Sequence, residues 1–488
     1  MYTNSPHYLR SNTLNHLVKS HVGTSHAAIN ADLIDKIIYD DPAVFRRLRI
    51  DQVNRNFIAT CTASFNATNA KDISLLMELV EGASKKTPEE LEIEKINDMA
   101  SDLNKEERSG NHGSAEEKKI YDPLGRVFLS NCVFHCSDSF ITLKPLKKQG
   151  PKPAVMGTIP AIVTQSADYV RLFMSTQPFM LFCVGILIFG TEFCVGIFDR
   201  DRITFSPAYD MFQDTDTFIR VVRSLACNLL IKEMGSDPTI RVLTDAETQK
   251  LTGSTEGYPH AVVSSGGSDP RQWCTIGPPI WTSLSFLGRG TNVWLVREYV
   301  VWLVREYVVG VTQEPLLRGN IMIMKTAWCS SARTPESDIY MSIDQFPEGL
   351  AKFECGGDVK HAGYPITMQN LRSHPVDIVL PEEGINPPMP VLHRLILGTV
   401  GRPLWEYTSD FDLLAGFHDA LQAHKALCDQ GILYHDISAG NILLTKNQNA
   451  PLQGFITNLE FAHIANSTIS KPRVTITSTI GAQNRYDD

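Results

Sequence analysis

Hydrophobic positions along the chain change their period several times. Between residues 31 and 58, Leu33, Ile37, Ile38, Val44, Phe45 and Leu48 recur at helical spacing, interrupted at Pro42, and 72–80 predicts a further short helix. From Glu81 to Lys119 the chain turns acid-rich, poor in aromatics and broken by Gly and Ser. Such a tract buries too little apolar surface to offset its ordering entropy, so it reads as a charged linker. Beyond Tyr121 the pattern is mixed, with strand-like runs at 127–134, 139–143 and 179–198 and helical ones at 166–175 and 215–233. The most apolar run, FMLFCVGILIFG from Phe179 to Gly190, is followed at once by Glu192. It is shorter than the ~20 residues a membrane helix needs, and it predicts a buried β-hairpin turning at Gly190, Thr191 and Glu192. Residues 293–300 read VWLVREYV, and 301–308 repeat them. Either copy puts the same side chains on the same strand face, so register is poorly specified. One copy is expected to pair and the other to lengthen the connection that follows. A last helix is predicted over 411–430, with Ser409 as N-cap, Asp412 three residues on, apolar Leu414, Phe417, Leu421, Leu427 and Cys428, and Gly431 as a left-handed cap.

Composition narrows the class. Of 488 residues, 43% are hydrophobic and 20% charged, a globular balance that excludes disordered and disulfide-scaffold classes. Lys plus Arg number 45 against 54 Asp plus Glu, a net charge of −9, which argues against a dedicated nucleic-acid binder. Ten scattered cysteines and an N-terminus without an apolar leader point to a reducing compartment, cytoplasm or nucleus. Cys132, His135 and Cys136 fall within five residues, but no second ligand pair stands at metal spacing, so alternation along a buried strand is the preferred reading.

The chemistry concentrates in GILYHDISAGNILL, residues 431–444. The predicted helix precedes it and the apolar Ile442-Leu443-Leu444 follows, so Asp436 and Asn441 sit on a polar loop between rigid flanks. A carboxylate that orients an attacking hydroxyl, with an amide oxygen five residues on to ligate Mg²⁺, suits phosphoryl transfer. Companions stand upstream in the matching order. Gly288 and Gly290 form a glycine turn in LGRGT, between strand-like WTSLSF and VWLV, where backbone amides can approach polyphosphate. IMIMK is an apolar strand ending in Lys325, and Glu336 opens the helix-like ESDIYMSI, where it can clamp Lys325.

These residues, with ADYVRLFMSTQPFMLFCVGILIFGTEFCVGIFDRDRITFSP, GPPIWTSLSFLGRGTNVW, PESDIY, GRPLWEY and GFITNLEFA, make residues 160–480 resemble the fungal-type protein kinases. The resemblance implies an α+β, protein-kinase-like two-lobed domain using ATP and Mg²⁺ to phosphorylate a protein substrate on Ser or Thr. It implies that Gly288 and Gly290 belong to the nucleotide loop, Lys325 and Glu336 to an ion pair, Asp436 to the catalytic base and Asn441 to the metal site. HRLILGTVGRPL carries the hinge. Three departures bear on activity. Asn458 stands where the family has a metal-binding aspartate, and Glu460, on the same side if the segment is extended, is expected to substitute in part. Tyr434-His435 replaces a His-Arg pair. The chain also ends soon after Asp436, so the C-lobe is expected to be incomplete, with a partner chain as one way to cover the 411–430 helix. The domains expected are a helical region at 1–80, the linker at 81–120, an α/β extension at 121–270, an N-lobe at 271–400 and a partial C-lobe at 401–488. Two other readings stay open: a pseudokinase serving as a nucleotide-binding or interaction module, and, ranked last, a small-molecule phosphotransferase. Neither nucleic acid nor membrane is expected as a partner.

Overall fold

The computed structural model describes residues 26–52, 54–85, 139–144, 146–253, 258–306, 310–372, 389–446 and 450–465. The expected strand at 127–134, the Cys132–Cys136 segment and all but the first five residues of the 81–119 tract lie outside them. The chain divides into two compact units: Met1–Cys329 with Glu354–Gly398, and Ser330–Phe353 with Thr399–Asp488.

Besides a two-stranded pair, β14 (Lys360–His361) with β15 (Tyr364–Pro365), the first unit holds two large sheets. One runs β1 (Ile37–Ile38), β5 (Ile203–Phe205), β4 (Glu192–Asp199), β3 (Phe182–Phe189) and β2 (Ser139–Lys144), with β6 (Tyr209–Asp210) on β4. The β3–β4 hairpin is the predicted one: Phe189 pairs with Glu192 across Gly190-Thr191, and β3 is buried throughout. Helices α1 (Ala43–Arg47), α2 (Arg55–Lys85), α3 (Ala161–Thr176) and α4 (Thr215–Arg223) also belong to this unit. Two apolar clusters, one around Phe193, Phe218 and Val221 and one around Val163, Leu187 and Phe198, pack on this sheet. The short helix expected at 72–80 is the far end of α2, which runs unbroken for 31 residues.

The second sheet has eight strands. It runs β13 (Phe353–Asp358), β16 (Pro390–Leu397), β12 (Gly310–Ser330), β11 (Asn292–Glu306), β9 (Gln272–Thr275), β8 (Ala261–Ser264) and β7 (Ile240–Val242), with β10 (Trp281–Thr282) also on β11. It passes through residue 270, where the sequence suggested a change of domain. The repeated octapeptide does not split into a strand and a connection. Its first copy pairs with both β9 and β12, and the described part of the second continues β11 and pairs with β12, Val301 opposite Pro315. The hairpin simply lengthens, because eight extra residues preserve the alternation.

The second unit is built on α6 (Glu336–Met341), α7 (Asp410–Asp429) and the sheet β17 (Gly401–Pro403), β19 (Ile442–Thr445), β20 (Gly454–Ile456). A further pair joins β18 (Ile432–Leu433) to β21 (His463–Ile464). The Ser409 side chain caps α7 by accepting from the Asp412 amide, and Gly431 follows the helix at φ 76°. The buried face of α7 differs from expectation. It is Gly416, Ala420, Ala423 and Leu427, whereas Leu414 and Leu421 are exposed. The reason is close approach: a Cβ on Gly454 would collide with the Gly416 backbone, so helix and strand meet at two glycines. Among the described residues, no helix is long and apolar enough to cross a membrane, and the eight described cysteines are free thiols.

Candidate active site

The β19–β20 register builds the centre of the site. Ile442 pairs with Ile456 and Leu443 with Phe455, so the loop entering β19 and the segment leaving β20 emerge side by side. Asn441 thereby stands next to residues 457 and 458, and its carbonyl accepts from the Thr457 amide at 3.0 Å. The Asn441 side chain then works in both directions. Its Nδ2 donates to Asp436 Oδ2 at 2.8 Å and to the Asp436 carbonyl at 3.0 Å, while its Oδ1 accepts from Asn458 Nδ2 at 3.0 Å. Asp436, Asn441 and Asn458 are thus brought together, as the sequence suggested, within one hydrogen-bonded chain.

Two more groups hold the 457–459 segment. The Tyr434 hydroxyl donates to the Thr457 carbonyl at 2.6 Å, and Tyr434 is only 1% exposed. Burial first, then the charges of Asp436 and Glu336, push this phenol up, so it remains a donor across the physiological range. Glu336, 3% exposed at the first position of α6, accepts from the Leu459 amide at 2.9 Å. Asn458 itself is left-handed, φ 69° and ψ 67°, a conformation Asn adopts more readily than most side chains. The sequence marks Glu336 as a partner for Lys325 and Tyr434 as a replacement, and neither anchoring role is read from it, although the place of Tyr434 two residues before Asp436 is a signal for one of them.

Other expectations are corrected. Leu459–Phe461 is a 3₁₀ turn, not extended backbone, so the alternation argument that set Glu460 beside Asn458 does not apply, and Glu460 is itself buried. Lys325 lies inside β12 opposite Val293, five residues before the strand ends. Of WTSLSF only Trp281 and Thr282 are strand; Gly288 (φ 98°) and Gly290 (φ 50°) lie in the loop between β10 and β11. That loop is buttressed from within the first unit: the Gly288 amide donates to the Arg200 carbonyl at 2.7 Å, and Arg200 Nη1 reaches the Phe286 carbonyl at 3.3 Å. A Cβ at Gly290 would meet the Arg200 guanidinium at 2.6 Å, which requires glycine there. One of the amides expected to face phosphate is therefore committed elsewhere. Gly288, Gly290 and Lys325 belong to the first unit, and Glu336, Asp436, Asn441, Asn458 and Glu460 to the second. The chain leaves the first unit at Gly398, inside the segment assigned to the hinge. Among the described residues, no three His, Cys, Asp or Glu side chains cluster as metal ligands.

A family model described as fungal protein kinase matches residues 157–481, two thirds of the chain. The chain belongs to the fungal protein kinase family. No curated protein matches it. Family membership and the mixed helix and sheet content make this an α+β kinase-like fold, and kinase-type transferase function with use of ATP follows from the family.

Proposed function

We propose that this kinase transfers the γ-phosphoryl group of ATP to a Ser or Thr hydroxyl of a protein substrate, in a two-lobed domain. The observation that carries the reading is the Asp436–Asn441 pair, in which the amide donates to the carboxylate and to the Asp436 carbonyl. A bond of that kind fixes the Asp436 carboxylate so that its second oxygen can orient an incoming hydroxyl and take its proton. Lys325 would hold the phosphates, with Gly288 and Gly290 in the covering loop, while Glu336 holds the Leu459 amide within its own unit. The oxygens of Asn441 and Asn458 fit a Mg²⁺ delivered with the nucleotide, because Mg²⁺ takes oxygen ligands and is held by few protein groups plus phosphates. Bound there, it would neutralise charge between the β- and γ-phosphates. Asn458 would first have to turn its oxygen toward the ion. A protein partner on α7 is supported by Phe411, Leu414 and Leu421, which are 78%, 67% and 51% exposed.

A second reading, a pseudokinase that binds nucleotide or partners without transfer, is favoured by one observation. The Asn458 amide hydrogen already satisfies Asn441 Oδ1, the oxygen a cation would need. Thermal unfolding against ATP, with and without Mg²⁺, tests both when run beside Lys325→Ala and Asp436→Asn. Ligand at 100 times its dissociation constant stabilises by ~2.7 kcal/mol. A Mg²⁺-dependent shift lost in Lys325→Ala, with peptide phosphorylation lost in Asp436→Asn, supports the kinase. A shift without phosphorylation supports the pseudokinase, and no shift in a cooperatively melting protein defeats both.

A further inference from the structure

A groove of about 890 Å³ lies in the first unit, between the start of α2 and the π-helical turn Ser224–Asn228 that follows α4. None of the candidate catalytic residues lines it. Its lining includes Arg49, Asn54, Asn56, Phe57, Arg223 and Cys227, and none of its lining residues is acidic. We propose that this groove is a binding site for a phosphate monoester.

The two arginines carry the argument. The Arg223 guanidinium lies 4.2 Å over the Phe57 ring, and among the described residues it has neither a hydrogen-bond acceptor nor an ion-pair partner. The ring fixes the plane of the guanidinium and leaves its N–H edge for an acceptor. Arg49 is bound at one Nη by Glu233, yet its Nε is buried without an acceptor. A buried donor left unpaired is uncommon in folded proteins and calls for an explanation such as a bound ion. Here two guanidinium groups border one groove: the charge of Arg49 is matched by Glu233, while Arg223 has no acidic partner among the described residues and brings an uncompensated positive charge to the lining. A phosphate monoester supplies a dianion with three acceptor oxygens, the chemistry guanidinium groups bind most strongly. The first turn of α2 carries no acidic side chain that would compete for this position. A groove of this size falls within the ~300–1,000 Å³ range of small-ligand sites. π-Helical turns recur at functional sites, and this one places Cys227 on the groove wall.

Cys227 is exposed and free, which makes it a reporter on the wild-type chain. The rate of iodoacetamide alkylation at Cys227, resolved by peptide mass spectrometry, is measured with inorganic phosphate, a phosphoserine peptide and its unphosphorylated twin, all against sodium chloride of equal ionic strength. The expected result is alkylation slowed about fivefold or more near saturation by the phosphorylated probes, since the occupied fraction sets the residual rate. Arg223→Gln should abolish that protection while leaving the melting temperature and the unliganded alkylation rate unchanged. If the phosphopeptide protects at about one tenth of the inorganic phosphate concentration, the monoester is protein-borne; equal potency points to a small free phosphate. Should Arg223→Gln fail to fold, the wild-type comparison still decides. Equal alkylation in phosphate and chloride, or protection surviving in folded Arg223→Gln, overturns the proposal. The test reads a site apart from the catalytic loop, so its failure leaves the kinase reading where it stood.

Discussion

Asn458→Asp tests the metal role proposed for position 458, with and without the metal. In the metal-free protein, Asn458 Nδ2 donates to Asn441 Oδ1 at 3.0 Å. The substitution keeps the shape of the side chain and the left-handed backbone, which Asp tolerates as Asn does. It removes the donor and sets two oxygens face to face. Losing the bond and leaving the buried Asn441 oxygen unpaired costs about 1–3 kcal/mol. At ~2–4 °C for each kcal/mol, the slope of a cooperative unit of 150–250 residues, the metal-free variant should melt about 2–12 °C below wild type. Mg²⁺ with ATP reverses the sign, because the new carboxylate supplies a charged ligand where the amide supplied a proton. A gain on the order of tenfold in Mg²⁺-dependent ATP affinity, ~1.4 kcal/mol, is expected from the added charge. The assay is paired melting of wild type and variant, with and without Mg²⁺ and ATP, followed by phosphate transfer to a Ser/Thr peptide mixture. A variant as stable as wild type without metal and no tighter for Mg²⁺ with ATP would refute the reasoning, since Asn458 would then not face the cation position.

Three further outcomes follow from other contacts. Tyr434→Phe leaves the Thr457 carbonyl without its 2.6 Å donor and should lower stability by about 1–3 kcal/mol, read by denaturant unfolding; an unchanged midpoint would show that the phenol is not an anchor. Arg394 is fully buried and donates to Asp237 Oδ2 at 2.9 Å. Arg394→Met alone should therefore cost about 3–5 kcal/mol, whereas adding Asp237→Leu should recover most of it in the same unfolding experiment. Asp201 responds to pH. Burial raises its pKa, but hydrogen bonds from Arg372 and Arg202 and their charges outweigh this and hold it at about 2 against the ordinary 3.8. Its contribution is complete above pH 3.8 and is lost as pH falls toward 2, so Asp201→Asn should flatten the stability curve across that window in acid melts.

Much of this architecture is legible in the sequence where local rules are strong. The hairpin at 182–199 follows from two apolar runs around Gly190-Thr191, and α7 starts at its Ser409 cap and stops before Gly431. The 434–441 loop is legible because a helix and an apolar strand bracket it. What escapes is decided by partners far along the chain. The buried face of α7 is Gly416, Ala420 and Ala423, small residues with little hydrophobic signal, and they are buried because Gly454 comes close enough to exclude a Cβ. Leucines 414 and 421 dominate the periodicity and yet face outward. The middle of α2, rich in Thr and Asn, shows no apolar stripe, so only its far end, 72–80, reads as a helix of its own.

The two departures in and beside the 434–441 loop share one physical character. Tyr434 anchors the Thr457 carbonyl with a neutral donor that does not titrate near neutral pH, where a histidine in that place would have an ordinary pKa of about 6.5. Asn458 meets Asn441 with a neutral amide where the family has a carboxylate. Each replacement removes a charge or a titration and substitutes a hydrogen bond that closes within the protein. The loop can therefore keep its shape with no ion present, because the Asn441 side chain holds both Asp436 and Asn458 and Tyr434 holds the Thr457 carbonyl. Shape and metal affinity are coupled when two carboxylates converge on an empty site, since their repulsion is relieved only by the cation. Here the coupling is broken. Wild-type stability should accordingly depend little on Mg²⁺ in the absence of ATP, and restoring Asp at 458 should bring that dependence back.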